Sequence, residues 1–233
     1  SAGPIELKSS VELHLKSGAT LRFTTTPTDY LPMVLTKFEG TLLYNYSPLI
    51  RAYEVTNVAL TGEPGSVIDG QGQEGFSKWR ARQTSDQNAL RQLGNDTAPH
   101  YQRVFGPGHF LRPVFVQFFG CTNVLVEGVT LIDSPFWVVH PTFSTNVIVR
   151  GITVNSPHIN NDGVDPDSCV DGSVSGELAF AAAAAFAASR PACCPALMSP
   201  AGTQHRVQTG IKLRSTYTPP HDRVRKAWQF TFR

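Results

Sequence analysis

Residues 121–131 read C-T-N-V-L-V-E-G-V-T-L, and residues 144–154 read S-T-N-V-I-V-R-G-I-T-V. The two segments are near-copies that lie 23 residues apart when Asn123 is aligned with Asn146, and each is followed by a Ser-Pro pair. Residues 57–62, N-V-A-L-T-G, look like an earlier member of the series. β-Branched runs that end in a glycine turn are typical of strands. A repeat of this length and content predicts one coil of a solenoid per repeat.

The short repeat also restricts the kind of solenoid. Each repeat is too short to hold the crossover helices of an α/β unit, so the chain must bend by turns alone and lay each strand beside its counterpart one coil earlier. We therefore predict an all-β chain folded as a right-handed parallel β-helix that is incomplete at its C-terminal end. Val124 and Val147 would stack inward, and Asn123 and Asn146 would form a hydrogen-bonded ladder. A leucine-rich repeat is the alternative, but its Leu and Asn spacing is missing.

Two regions break the regular pattern and define the predicted domain organisation. We expect a β-helix domain over residues 1–176, interrupted by a long loop excursion at 71–111 that carries one helix around Trp79 to Leu93. Residues 177–209 are Ala-rich and of low complexity, and alanine is the best helix former, so a short helix is predicted at 177–189. Residues 210–233 would form a basic C-terminal tail.

Composition excludes several classes of protein. A hydrophobic fraction of 41% with 16% charged residues is typical of a globular chain, and a net charge of +2 is too small to indicate nucleic-acid binding. Four cysteines in 233 residues, two of them adjacent, do not make a disulfide framework. The sequence has no initiator Met and no recognisable signal segment, so we expect either that a leader was removed or that the chain is a fragment. Two N-glycosylation sequons, at Asn45 and Asn95, are compatible with secretion.

The second informative stretch is residues 156–169, S-P-H-I-N-N-D-G-V-D-P-D-S-C, which we call the acidic run. It contains three carboxylates and two asparagines, and it follows directly after the repeats. One interpretation is a set of ordinary turns, because Asn, Asp, Gly and Pro are the common turn residues. The other interpretation is a functional site displayed on the β-helix. The run itself holds Asn160, Asn161, Asp162, Asp165 and Asp167.

Taken together, the repeats and the acidic run resemble glycoside hydrolase family 28, the polygalacturonases that degrade pectin. The resemblance covers roughly residues 4–170. Besides the acidic run, the matching segments are L-H-L-K-S-G-A-T-L at 13–21, Y-S-P-L-I at 46–50, I-D-G-Q-G at 68–72, R-P at 112–113 and S-P-F-W-V-V-H-P at 134–141.

The resemblance implies hydrolysis of α-1,4 bonds in galacturonan with inversion. Such a reaction needs a protonated carboxyl that protonates the leaving oxygen and an ionised carboxylate that activates water, about 6.5–9.5 Å apart. By resemblance, Asp162 is the catalytic residue that helps to activate water, and Asn160 supports it. Lys212 and Arg214 would bind the substrate carboxylate, although they stand in exchanged order relative to the family pattern. The alternative for this pair is two solvent-facing charges on an edge strand.

The later catalytic motifs of the family are missing, because neither Gly-Asp-Asp nor Gly-His-Gly occurs in the 233 residues. We therefore expect weak or absent turnover. The alternatives are a non-catalytic galacturonan-binding β-helix and an incomplete product of a gene for an active enzyme. Trp137 and His140 could serve as a sugar platform and a site residue, but core and turn roles are the more common ones for these residue types.

The expected partners and location also follow from the resemblance. We expect binding of polygalacturonate or pectin oligosaccharides, no nucleic acid and no membrane partner, a monomeric state, no cofactor and no metal. By resemblance, the chain would be secreted and would act on the cell wall.

Overall fold

The computed structural model describes residues 1–175, 177–180, 226–227 and 230–232. Most of the described chain is organised as short strands. In chain order these are β1 (Ile5–Leu7), β2 (Glu12–Leu15), β3 (Thr20–Arg22), β4 (Val34–Phe38), β5 (Thr41–Asn45), β6 (Ile50–Tyr53), β7 (Thr56–Gly62), β8 (Val67–Asp69), β9 (Val104–Phe105), β10 (Val116–Phe119), β11 (Thr122–Glu127), β12 (Thr130–Ile132), β13 (Val139–Thr142), β14 (Thr145–Arg150), β15 (Thr153–Asn155), β16 (Val170–Ser175), β17 (Glu177–Phe180), β18 (Lys226–Ala227) and β19 (Phe230–Phe232).

Three long sheets run along the molecule. Sheet A has the order β1-β6-β10-β13, sheet B has β2-β7-β11-β14-β16-β19, and sheet C has β3-β8-β12-β15-β17-β18. Neighbouring strands are parallel, except that β19 and β18 pair antiparallel with β16 and β17. Each coil contributes one strand to each sheet in turn. The fold is therefore the predicted right-handed parallel β-helix.

The register confirms the alignment of the repeats. Val124 pairs with Val147 on one side and with Val58 on the other. All three are at most 2% exposed and belong to the apolar core that fills the rod. Because equivalent residues of successive coils occupy equivalent positions, one column of valines is repeated from coil to coil. The core is thus built by stacking, as the sequence predicted.

The predicted asparagine ladder is also present. Asn146 Nδ2 donates to Asn123 Oδ1 at 2.8 Å, and Asn123 Nδ2 donates to Asn57 Oδ1 at 2.8 Å. The three asparagines have φ values of 55°, 59° and 56°, in the left-handed region that Asn tolerates better than most residues. Asparagine therefore serves two purposes here. It adopts the left-handed backbone conformation of the tight bend between sheets A and B, and its side chain forms the hydrogen bonds between coils.

Two insertions interrupt the passage from sheet C to sheet A. The first, between β3 and β6, contains the antiparallel hairpin β4–β5, which the sequence analysis did not predict. The second is the excursion, residues 71–111. It contains a 3-10 turn over Phe76–Ala81, helix α1 over Gln83–Asn95, a 3-10 turn over His100–Gln102, and β9, which pairs with β5. The helix expected around Trp79 to Leu93 is confirmed.

The hairpin and the excursion cover the outer face of sheet A. Every residue of β10 is buried, including Gln117 and Phe119, which alternate with the core residues of that strand. A second apolar cluster joins the hairpin, α1 and sheet A, and Phe38 stacks on Phe136 with ring centroids 4.7 Å apart. Its buried members are Phe38, Leu43, Leu90, Phe105, Leu111, Val114 and Phe136. The outer face of these coils is therefore a second core rather than an open surface.

The prediction of a helix at 177–189 is wrong for residues 177–180. Residues Glu177–Phe180 form β17, which pairs with β15 and continues sheet C. The unpaired N–H and C=O groups at the edge of β15 offer hydrogen bonds to the next segment, and helix propensity is too weak a preference to compete with them. Residues 181–189 lie outside the described residues. In the part of the chain that the structure describes, no helix is long and apolar enough to cross a membrane.

Candidate active site

The loop after β15 carries the start of the acidic run, and we call residues 156–163 the corner. The Ser134 N–H donates to Ser156 Oγ at 2.7 Å, and Asn161 Nδ2 donates to both Ser156 Oγ and the Ser134 carbonyl at 2.6 Å. The corner is therefore pinned to the Ser-Pro turn of the preceding coil. The buried Asn161 therefore has a structural role, whereas Asn160 and Asp162 on either side of it are only partly buried.

Arg112 holds the outer side of the corner. Its guanidinium donates to Asn160 Oδ1 at 2.9 Å, to the Ile159 carbonyl at 3.2 Å and to the Pro135 carbonyl at 3.1 Å. Its Nε donates to Gln83 Oε1, at the start of α1, at 2.7 Å. Asn160 has a φ of 63°, so a strained backbone and a fixed side chain coincide there.

All four acceptors around Arg112 are neutral oxygens, although the side chain is only 1% exposed. Burial and then the nearby charge of Arg80 lower the pKa of Arg112 to about 10. The guanidinium nevertheless stays protonated at neutral pH. Sequence analysis missed this role, because an Arg before a Pro carries no signal that distinguishes a buried clamp from a surface charge.

Asp162 lies at the inner end of the corner. The Val138 N–H donates to the Asp162 carbonyl at 2.9 Å, and the bridge between Val139 and Val164 places Asp162 opposite Trp137 of the preceding coil. The side chain is half-buried, and burial raises its pKa, with no opposing charge or hydrogen bond among the described residues. A carboxyl with a raised pKa at a partly open position is suited to proton transfer.

The other two carboxylates of the acidic run are buried instead. Asp165 is 3% exposed and Asp167 is 2% exposed. Lys37 on β4 places its Nζ 2.7 Å from Asp167 Oδ1, and Lys37 itself is only 6% exposed. Burial alone would raise the pKa of Asp167, but the contact with Lys37 and the proximity of His140 hold it well below its ordinary value. Asp167 is therefore a structural residue that is ionised at neutral pH.

His140 belongs to the same buried network, and it is fully buried. Thr36 Oγ1 donates to Gln117 Oε1 at 2.7 Å, and Gln117 Nε2 lies 3.1 Å from His140 Nδ1. His140 Nε2 lies 2.9 Å from Thr142 Oγ1 and 3.8 Å from the Asp167 carboxylate. Burial lowers the pKa of His140, so the ring is neutral and accepts from Gln117. The structural role of His140, which the sequence left open, is the one observed.

Trp137 is half-buried and is held from below. Its ring stacks on Phe136 at 5.0 Å and meets the His140 ring edge-on at 5.0 Å. The ring therefore packs on the second core, while Trp137 as a whole remains partly accessible in the coil that precedes Asp162. Both interpretations of Trp137 that the sequence allowed are compatible with this position.

The excursion contacts the other side of the corner through Gln73. Gln73 Nε2 lies 2.6 Å from His158 Nε2, and the Gln73 N–H donates to Asp133 Oδ1 at 3.1 Å. Burial raises the pKa of Asp133. Within the described residues, no group of three or more His, Cys, Asp or Glu side chains is arranged to hold a metal ion. Lys212 and Arg214, the predicted carboxylate-binding pair, lie outside the described residues.

Comparison with known proteins relates the chain to enzymes. No protein-family model matches it. It is 31% identical over 129 residues to a probable polygalacturonase of Vitis vinifera, a match that covers 54% of this chain and 21% of the relative. Its structure resembles that of a hyperthermoactive exopolygalacturonase from Thermotoga maritima, with a TM-score of 0.69 and 44% sequence identity, over 76% of this chain and 44% of the other.

A more distant match is the family 28 exopolygalacturonase of Yersinia enterocolitica, with a TM-score of 0.53 and 22% identity, over 73% of this chain and 34% of the other. At that identity the likeness shows the fold alone. The chain spans less than half the length of each of these relatives. It is nevertheless a homologue of polygalacturonases and is related to glycoside hydrolase family 28.

Proposed function

We propose that this chain binds galacturonan at the corner as a polygalacturonase-type glycoside hydrolase, an enzyme class that cleaves α-1,4-galacturonosyl bonds with inversion. The observation that carries the proposal is the half-buried Asp162, held on a clamped corner beside Trp137, in a chain 44% identical to an exopolygalacturonase. In this role Asp162 activates the attacking water. Asn160, fixed by Arg112, supports the geometry of the corner, and Lys212 and Arg214 bind the substrate carboxylate.

We further propose that turnover by this chain is weak or absent. The reaction needs a second carboxyl that protonates the leaving oxygen, and no Gly-Asp-Asp occurs in the sequence. Asp165 and Asp167 do not substitute for it, because both are buried and Asp167 forms an ion pair with Lys37. A positioned general acid contributes about 10²–10⁴-fold to the rate, and its loss accounts for a correspondingly slow reaction.

The covered outer face of sheet A supports attack at a chain end. The hairpin and α1 bury this face over β10, next to the coil that carries Trp137. A polysaccharide that lies along sheet A would therefore be blocked beyond the corner by the hairpin and α1, which we call the wall. If the wall admits only a chain end, the molar affinity for galacturonate oligomers should level off after a few residues. An open groove would instead give an affinity that keeps rising with chain length.

A reducing-end assay on polygalacturonate tests the catalytic part of the proposal. Wild type should release reducing ends slowly or not at all, and Asp162→Asn should abolish any release that is found. Asp96→Asn serves as a control, because it removes an exposed carboxylate that caps the C-terminal end of α1. Release that survives in Asp162→Asn would contradict the assignment of Asp162.

Binding measurements separate the enzyme from the alternative, a non-catalytic galacturonan-binding β-helix. Binding of oligogalacturonates without any release of reducing ends favours the binding protein or the incomplete product of an enzyme gene. A Gly-Asp-Asp codon set in the genomic sequence downstream of the Cys169 codon would favour the incomplete product. Failure of the wild type to bind any galacturonate oligomer would overturn the proposed function altogether.

We also propose that the chain acts outside the cell as a monomer on cell-wall pectin. The Asn95 sequon is exposed, in keeping with passage through a secretory pathway, whereas Asn45 of the other sequon is 1% exposed. Fractionation of the native source and sedimentation of the purified chain test these two statements.

A further inference from the structure

The corner is held from two sides, by Gln73 of the excursion and by Arg112, which directly follows the excursion. Gln73 Nε2 reaches His158 at 2.6 Å, and Arg112 reaches Asn160 at 2.9 Å. The chain between these two residues therefore starts and ends at the corner. Within it, the segment around residues 76–83 returns to the same place, because Gln83 accepts the Nε hydrogen bond of Arg112 at 2.7 Å.

The 3-10 turn Phe76–Ala81 is rigidly packed in this position. The Trp79 ring meets the Phe76 ring at 4.8 Å, the Tyr46 ring at 5.2 Å and the Phe110 ring at 5.6 Å, all at steep interplanar angles. Such edge-to-face contacts hold both rings in place. The residue that follows Trp79 is Arg80, and its side chain is exposed. A fixed turn thus presents an exposed guanidinium three residues before Gln83, which contacts Arg112.

Arg80 and its neighbour Arg82 differ in what their guanidinium groups contact. The Arg82 guanidinium carbon lies 3.5 Å from the centroid of the Phe110 ring, so its face is occupied. Within the described part of the chain, no carboxylate forms an ion pair with Arg80. Its charge instead acts on Arg112, because burial and then the charge of Arg80 lower the pKa of that group, while the charge of Glu39 partly opposes them.

Two like charges near one another, one of them buried among neutral oxygens, are unfavourable for the folded state. An anion that bound beside Arg80 would offset this repulsion. The galacturonan of the proposed function carries one carboxylate on every sugar residue. The arrangement therefore has the sign and the exposure that an anionic polysaccharide needs, on a turn that leads directly to Gln83 and the Arg112 contact.

We propose that Arg80 forms a binding subsite for the carboxylate of a uronic acid residue, at the side of the corner where the excursion walls off sheet A. The inference rests on the proposed function and extends it by naming a specificity residue outside the acidic run. Arg80 binds the uronate and does not take part in bond cleavage. A guanidinium suits this role because its planar fork matches a carboxylate in two parallel hydrogen bonds.

Calorimetric titration with an α-1,4-linked galacturonate trimer, and with the same trimer after reduction of its carboxyls to alcohols, tests the inference. Arg80→Gln should bind the acidic trimer roughly tenfold more weakly than wild type, as expected for loss of a charge-assisted contact. Arg82→Gln is the matched control, because it removes the same charge two residues away, and it should weaken binding less than threefold. The reduced trimer should not distinguish Arg80→Gln from wild type.

Thermal unfolding without ligand provides a second readout. Arg80→Gln should unfold at the same temperature as wild type or a higher one, because the repulsion of Arg112 is relieved; a lower temperature would mean that Arg80 is structural and would overturn the inference. Equal weakening of trimer binding in both variants would also overturn it, in favour of a diffuse charge effect. Unchanged binding in Arg80→Gln overturns the subsite and leaves the proposed function intact, whereas a wild type that binds no trimer overturns both.

Discussion

The two halves of the acidic run have similar sequences and opposite environments. Residues 160–162 are clamped from outside by Arg112, and Asp162 remains half-buried. Asp165 and Asp167 are buried, and Lys37 of the hairpin forms an ion pair with Asp167. Both halves therefore use a buried cation, but only Lys37 has a carboxylate partner. The comparison teaches that a high content of carboxylates does not by itself identify a functional site. In one half of the run the carboxylates are accessible in part, and in the other half they are buried.

Breaking the Lys37–Asp167 pair should have the largest effect. Lys37→Met leaves the Asp167 carboxylate buried without its partner, and loss of one member of such a pair costs about 3–5 kcal/mol. Chemical denaturation should show this loss. The double variant Lys37→Met with Asp167→Asn should recover part of the stability, because no charge is then left uncompensated. A single variant as stable as wild type would show that the hairpin does not depend on this pair.

Replacing Arg112, the other buried cation, should have an intermediate effect on the free energy of unfolding. Arg112→Lys keeps the charge but loses the fork that joins Gln83, Pro135 and Asn160, and the abandoned buried acceptors should cost about 2–3 kcal/mol. Hydrogen exchange should report faster opening of the amides at residues 159–161 than in wild type. If exchange at the corner is unchanged while global stability falls, Arg112 supports the rod and not the corner.

The hydrogen bonds among the uncharged side chains of Thr36, Gln117 and His140 should contribute less to the free energy of unfolding. Thr36→Val removes the hydroxyl that donates to Gln117 Oε1 and leaves that buried oxygen without its donor, at a cost of about 1–2 kcal/mol. Denaturant midpoints of the variant and wild type measure the difference. Thr28→Val, at an exposed position in the same insertion, is the control and should be nearly neutral.

The two carboxylates should respond to pH in opposite directions, and the change at Asp162 is the smallest of the predicted effects on stability. The pKa of Asp162 is raised by burial, so its ionisation opposes folding as pH rises above the pKa of the unfolded chain. Asp162→Asn should therefore stabilise the protein by about 0.5 kcal/mol at pH 7 and have no such effect near pH 3.

Asp167→Asn is the counterpart, because Asp167 has a lowered pKa. Its ionisation stabilises the fold above the unfolded pKa, and that contribution is lost as pH falls towards the folded pKa. Asp167→Asn should thus destabilise the protein at pH 7 and do so progressively less on acidification. Unfolding curves at several pH values measure both variants. Parallel pH profiles would show that the two halves of the run do not differ electrostatically.

Much of the rod could be predicted from the repeats, because a solenoid is built from local patterns. The alignment of Asn123 with Asn146 gave both the stacking of Val124 on Val147 and the asparagine ladder. The hairpin β4–β5 was missed, since it has no counterpart in other coils and is stabilised by contacts with distant residues such as Phe136. The strand at Glu177–Phe180 was missed for a related reason, because the edge of β15 outweighed a local helix preference.

By itself, the sequence determined the coil, its register and the presence of the acidic run, since these depend on residues that recur at a constant spacing. Only the tertiary structure decided which residues of the run are accessible. Lys37 and Arg112 reach it from insertions that lie about 50 to 130 residues away in the chain, and no periodic pattern marks their positions. Whether a carboxylate is a site or a structural ion depends on such long-range burial and charge, which the chain acquires when it folds.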